Sequence, residues 1–235
     1  MKQHSDGCID WRIVIICFVM ALVCSCATTE PLQQTTASGR RPIVILISGH
    51  SGPGSYRSYA GEVAKLGYYP VLLDGNNVSL GRGTDGENFL RHAIEQAQSS
   101  PQATPGKVVV IGFSMGGGGA LAHATHMPDL VSAVVAYYPM TRGVADMQRF
   151  VARFQVPVLV LAGERDTYMN CCLIESMKAM EAAAMEGGKP FELVVFPKAN
   201  HGFNLLASRA NYSAEDAADA WQRTTKMLSQ YQPLR

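Results

Sequence analysis

Between Val108 and Gly119 the chain reads V-V-V-I-G-F-S-M-G-G-G-G, an apolar, β-branched run that breaks into glycines with one serine at the break. β-branched residues fit a pleated strand, so Val108–Ile111 is expected in a sheet. Beyond the break, Ala120, Leu121, Ala124 and Met127 recur at helical spacing. Ser114 therefore sits where a strand turns tightly into a helix. Such a turn needs neighbours without Cβ atoms and strains the residue at its apex. The G-x-S-x-G spacing alone arises by chance in about one chain in ten of this length, so its weight comes from the strand before it and the helix after it.

The rest of the chain supports that context. From Arg41 onward, apolar runs of strand length alternate with stretches of helical period. The strands read are 43–48, 69–74, 107–113, 133–138, 156–162 and 192–196. Most are continuously apolar, as in parallel strands covered on both faces. Tyr56, Tyr59, Val63 and Leu66 mark one helix, and Phe89, Ala93 and Ala97 a second. Leu173, Met177, Met180 and Ala184 mark a third, whose methionine stripe is read as core. A last helix opens at Ser213, with Asp216 three residues on as a capping box, and carries Ala217, Ala218, Trp221 and Leu228. Repeated strand–helix units predict an α/β fold, a doubly wound, mostly parallel sheet flanked by helices.

The 235 residues, 47% apolar and with a formal charge of +1, suit one globular domain and give no basic footprint for nucleic acid. The first residues differ in kind. Lys2 and Arg12 precede an apolar run, Ile13 to Cys24, of signal-peptide length. The run ends in V-C-S-C-A, which resembles a bacterial lipoprotein signal with Cys26 lipidated. Ordinary cleavage nearby and an uncleaved anchor are the alternatives. Residues 1–25 are thus read as a signal peptide, 26–40 as a polar flexible tether and 41–235 as the domain. All three readings export it, to a bacterial cell envelope on the periplasmic or surface side. Two cysteines, Cys171 and Cys172, remain in the domain. A vicinal disulfide, a soft-metal site and a small buried hydrophobe on a helix are the readings weighed, the last preferred.

In parallel sheets the ligand site lies beyond the carboxyl ends of the strands. Ser114 ends one strand, Asp166 follows another in A-G-E-R-D, and His201 follows the last in F-P-K-A-N-H-G-F-N. A serine hydroxyl needs a neutral imidazole to take its proton, and the imidazole needs a carboxylate to fix its tautomer. The order Ser, Asp, His is that of α/β-hydrolases. Glu164 is the alternative acid. An oxyanion would take the N–H of Met115 and a second donor from the loop S-G-H-S-G-P-G, at His50 or Ser51.

G-F-S-M-G, the acid in G-E-R-D and N-H-G-F after the last strand resemble the dienelactone hydrolase family of α/β-hydrolases, from about Arg41 to the C-terminus. The resemblance implies a compact sheet without a large lid and a Ser114–Asp166–His201 triad. The family's namesakes carry a cysteine nucleophile and a glutamate in the loop after the first strand. This chain has Ser114 and S-G-H-S-G-P-G, which points to a serine esterase of the wider family.

The expected activity is hydrolysis of a carboxylic ester or lactone through an acyl-enzyme, with no metal or organic cofactor. A peptidase or acyltransferase with the same triad, or a binding protein on the same fold, is the alternative. The expected partners are a small ester or lactone and, through the anchor, a membrane. Tyr138, Arg82 and Arg142 are candidate substrate-binding residues, the arginines for a substrate carboxylate. Gly81–Gly86 satisfies G-x-G-x-x-G without a strand directly before it, so it is read as a mobile rim loop rather than a dinucleotide site.

Overall fold

All six apolar runs are strands of a single sheet in the computed structural model, which describes residues 39–234. The leader, Cys26 and the tether up to residue 38 lie outside the described residues. The strands are β1 (Arg41–Ile47), β2 (Tyr69–Leu73), β3 (Ala103–Phe113), β4 (Val131–Tyr137), β5 (Val158–Gly163) and β6 (Phe191–Phe196). Their order is β2-β1-β3-β4-β5-β6 and every pairing is parallel. The helices are α1 (Arg57–Lys65), α2 (Gly75–Val78), α3 (Gly83–Gln98), α4 (Met115–His123), α5 (Met147–Ala152), α6 (Ile174–Glu186) and α7 (Ala214–Tyr231). Among them no helix is long and apolar enough to cross a membrane.

The period-two geometry of a strand explains why the runs are continuously apolar. Ile43, Ile45 and Ile47 of β1 and Val108 and Val110 of β3 share one core with Leu90 and Ile94 of α3, Leu121 of α4, and Met177 and Met180 of α6. Val44, Leu46, Val109, Ile111 and Phe113 serve the other face, against Tyr59 and Val63 of α1 and Ala220 and Leu228 of α7. Burying each such aliphatic side chain stabilises the fold by about 1.5–3 kcal/mol. The methionine stripe is core, as its spacing implies.

Three local readings need correction. α3 buries Gly86, Leu90, Ile94 and Ala97, while Phe89 is more than one-third exposed, at 38%. Its apolar face is turned by one residue from the stripe marked by Phe89 and Ala93. Gly81–Gly86 is not a loop either: a 3₁₀ turn, Leu80–Arg82, runs straight into α3 at Gly83. Low glycine propensity hid this, but Gly86 packs where a Cβ would meet the His123 ring, so packing outweighs propensity. Finally, β3 begins at Ala103 rather than at 107; the register with β1 shifts between Pro42 and Val44 along this added stretch. At α7 half of the expected capping box forms: Ser213 Oγ accepts from the Asp216 N–H at 3.3 Å, while the Ser213 N–H donates to the Phe203 carbonyl at 2.9 Å rather than to Asp216.

The chain leaves β1 for β2 on one side, and β3 then pairs on the other side of β1. That reversal opens a crevice above the carboxyl ends of β1 and β3, the usual ligand position in such sheets.

Candidate active site

Ser114 stands at the end of β3 with φ 51° and ψ −114°, a left-handed-side conformation that L residues seldom adopt. Its own peptide groups hold it there. The N–H donates to the Tyr137 carbonyl at 3.0 Å, and the carbonyl accepts from Gly118 and Met140 N–H groups at 2.9 and 2.8 Å. A Cβ at Gly112 would overlap the Gly116 backbone, and one at Gly116 would overlap the Ser48 carbonyl. Those two glycines let the first turn of α4 press against the ends of β1 and β3, which lifts the serine above the sheet.

Asp166 follows β5 and His201 follows β6, so two further strand ends bring their loops to the same point. His201 Nε2 lies 2.9 Å from Ser114 Oγ, and His201 Nδ1 lies 2.7 Å from Asp166 Oδ2. A carboxylate only accepts, so Nδ1 carries the proton and Nε2 faces the serine hydroxyl as acceptor. The Asp166 carboxylate is fully buried; its Oδ1 accepts from the Tyr168 N–H at 3.0 Å. The imidazole lies between two aromatic rings, parallel to Tyr168 at 4.5 Å and tilted against Tyr138 at 4.7 Å. Asn211 Nδ2 donates to the His201 carbonyl at 2.9 Å and steadies the loop. Glu164, the alternative acid, is turned outward toward Lys178, 3.6 Å away.

A cavity of about 240 Å³ opens over Ser114 and His201. A larger groove of about 700 Å³ near Leu66 and Leu234 lies away from the relay, whose Ser114 and His201 line the smaller cavity. His50 and Ser51, the two candidate loop donors, both line it. Met115 opens α4, whose first-turn N–H groups have no intrahelical acceptor. Tyr138 also lines it, but its hydroxyl is engaged, donating to Asn204 Oδ1 at 2.8 Å. Burial pushes the Tyr138 phenol well above its ordinary pKa, so it stays a neutral wall.

The two arginines are elsewhere. Arg82 Nε donates to the Asn76 carbonyl at 3.0 Å, and Arg142 lies 3.4 Å from the Met169 carbonyl; neither lines the cavity. Arg82 is held back because its segment is the 3₁₀ turn leading into α3 rather than a free rim loop. Cys171 and Cys172 form a vicinal disulfide, buried just before α6 and not on a helix. Their sulfurs and a His201 ring nitrogen fall within 4.8 Å of one another. With the sulfurs bonded to each other, the pair offers no thiolates to a metal.

Sequence reasoning missed several walls of the cavity. Tyr56 and Tyr168 line it, as does the loop after His201 through Leu205, Ser208 and Asn211. Tyr56 reads as a helix-marking apolar residue, and only the fold sets its hydroxyl against Gly49 in the wall of this cavity. The loop had a signal, eleven residues between His201 and the Ser213 cap, longer than an ordinary connection.

A six-stranded parallel sheet with helices on both faces, a serine on a strained turn after β3, and an acid and a histidine after β5 and β6 define the α/β-hydrolase fold. The profile of the Dienelactone hydrolase family matches residues 80–232. The chain belongs to that family. A Yersinia pestis protein provisionally named carboxymethylenebutenolidase is 34% identical over 53% of this chain and 47% of its own length. An Escherichia coli protein with the same provisional name is 30% identical over 73% of this chain and 58% of its own. The matches thus span about half the length of these relatives. Among solved structures, a provisionally named dienelactone hydrolase from Klebsiella pneumoniae superposes with a TM-score of 0.72, 24% identity and coverage of 84% and 90% of the two chains. A Thermogutta terrifontis esterase with bound propionate gives 0.63, 18%, and 86% and 88%. At these identities the superpositions speak for the fold.

Proposed function

We propose that the protein is a serine hydrolase that cleaves a small carboxylic ester or lactone through an acyl-enzyme. One observation carries the reading: the continuous hydrogen-bonded relay from Ser114 to His201 to Asp166, at 2.9 and 2.7 Å. Ser114 Oγ attacks the carbonyl carbon while its proton passes to His201 Nε2. The tetrahedral oxyanion takes the Met115 N–H and a donor from the Ser48–Gly54 loop. As the carbonyl re-forms, the bond to the leaving alcohol breaks and His201 returns the proton to it. Water then repeats the route and releases the acid. Asp166, buried and acceptor-only, holds the Nδ1–H tautomer and balances the imidazolium. Membership of the family, and the esterase name of a structural neighbour, support an ester over an amide.

The basic, apolar and cysteine-containing N-terminus supports the companion proposal of an exported, lipid-anchored enzyme of a bacterial envelope. Mass analysis of the mature N-terminus tests it; a chain that keeps its leader, or begins elsewhere than at a modified Cys26, refutes it.

The catalytic proposal is tested by fluorophosphonate labelling together with hydrolysis of 4-nitrophenyl esters of graded acyl length. An adduct on Ser114, abolished in Ser114→Ala and strongly slowed in His201→Ala, is expected. Labelling that His201→Ala leaves unchanged would sink the relay.

A further inference from the structure

We infer that the Tyr56 hydroxyl is a third oxyanion donor, a side-chain partner to the backbone donors, and thus a catalytic residue of this site. The inference rests on the hydrolase reading above and adds a group to it. Tyr56 ends a short 3₁₀ turn, Pro53–Tyr56, in the connection between β1 and α1. Its ring is buried and packs 4.8 Å from Phe113, the residue directly before the nucleophile. Its polar end emerges beside the Gly49 backbone and the Ser51 side chain, in the wall of the cavity that Ser114 and His201 share.

Gly49 locates that hydroxyl relative to the nucleophile. A Cβ on Gly49 would overlap Tyr56 Oη and come within 3.2 Å of Ser114 Cβ. The hydroxyl therefore packs directly on the Gly49 Cα on the side that faces the serine, a place that only a residue without a Cβ leaves to it. The loop that carries Gly49 also carries His50 and Ser51, where a backbone donor is expected. A substrate carbonyl attacked by Ser114 has its oxygen driven toward this loop, so negative charge develops next to a positioned O–H.

The chemistry suits a donor that never gives up its proton. Burial raises the Tyr56 pKa, so the phenol stays neutral wherever His201 can act as a base. In the attacking step the Oγ–C bond forms, the carbonyl pair moves onto oxygen, and the serine proton goes to His201. Tyr56 keeps its proton throughout and shortens its hydrogen bond as charge builds. Because that charge is absent from the ground state, the donor acts on kcat and barely on KM.

The test compares wild type, Tyr56→Phe, Gly49→Ala and the double variant on 4-nitrophenyl acetate, with melting temperatures measured alongside. Losing one preorganised oxyanion donor costs about 100-fold or more in kcat. Tyr56→Phe is expected to lose about that factor with KM within about threefold, and to bind a boronic acid, which mimics the tetrahedral adduct, correspondingly more weakly. Gly49→Ala should cost a similar factor by displacing the hydroxyl, and should add little once Tyr56 is Phe, since the two act through one group. An active wild type with unchanged kcat in Tyr56→Phe overturns the assignment and leaves the hydrolase reading intact. A rise in KM alone, or fully additive losses in the double variant, also overturns it. Should Phe at 56 fail to fold, Gly49→Ala and its boronate affinity decide. A wild type that hydrolyses no ester and takes no fluorophosphonate overturns the underlying reading, and the assignment falls with it.

Discussion

Two histidines in this molecule each lie against a carboxylate, and the two sites could hardly be less alike. His201 meets Asp166 at 2.7 Å and His126 meets Glu87 at 3.1 Å. At His201 the acid is fully buried and the far ring nitrogen faces a serine hydroxyl. At His126 the acid is one-third exposed, and the Arg153 guanidinium lies 3.0 Å from the ring. An arginine cannot give up a proton to a base, so the second pair has nothing to activate. The first pair sits on loops beyond β5 and β6. The second joins α3 to the turn after α4, away from the carboxyl ends of the strands. A histidine–carboxylate contact is thus common currency on a protein; position and third partner decide whether it does chemistry.

The widest separation between the two sites is expected from their acids. Asp166→Asn should lower kcat by about 10⁴, since the wrong tautomer is stabilised, with the fold intact by circular dichroism. Glu87→Gln should leave kcat within about twofold. Equal losses in both would erase the distinction drawn here. Next comes the aromatic packing: Tyr168→Leu removes the ring stacked on His201. At about 1 kcal/mol for such a contact, kcat should fall about fivefold with little change in melting temperature. No change would mean that the stack only covers the site.

Smaller still is the acid dependence of the second pair. The His126 hydrogen bond, then its charge, holds the Glu87 carboxyl below its usual pKa. A depressed carboxylate contributes stability above its unfolded pKa and loses it as pH falls through the folded value. Comparing Glu87→Gln with wild type by denaturant unfolding should therefore show a gap near pH 6 that closes below about pH 4, at most about 1 kcal/mol at this exposure. A gap that widens toward acid would refute the sign. The smallest effect in melting temperature is expected from Cys171→Ser/Cys172→Ser. A bridge between adjacent residues closes almost no chain loop, so it removes little entropy from the unfolded state. The Cys171 carbonyl nevertheless accepts from both Thr141 and Arg142 N–H groups. Loosening that turn, which carries Asp166 and Tyr168, should therefore show in kcat before it shows in stability.

Much of this was readable along the chain because it is local. Every strand announced itself through an apolar run, most of them rich in β-branched residues, and Ser114, Asp166 and His201 each followed one. Misreadings arose where distant packing overrules local preference. The glycines at 81, 83 and 86 suggested a mobile loop, yet α3 starts among them because Gly86 must admit His123. Arg82 and Arg142 looked available for a substrate because arginine usually points to solvent, but both sit on turns that aim them at neighbouring carbonyls. Adjacent cysteines leave a disulfide, a metal site and a buried hydrophobe all open, because pairing depends on the turn they occupy.

The sequence by itself determined the class of fold, the succession of the strands and the three residues of the relay, since periodicity and strand ends are properties of neighbours. Only the tertiary structure decided which rings enclose His201, where the arginines go, and that Tyr56 packs on Gly49 in the wall of the cavity over Ser114. Those contacts join residues far apart along the chain, and their geometry comes from how the sheet and helices pack.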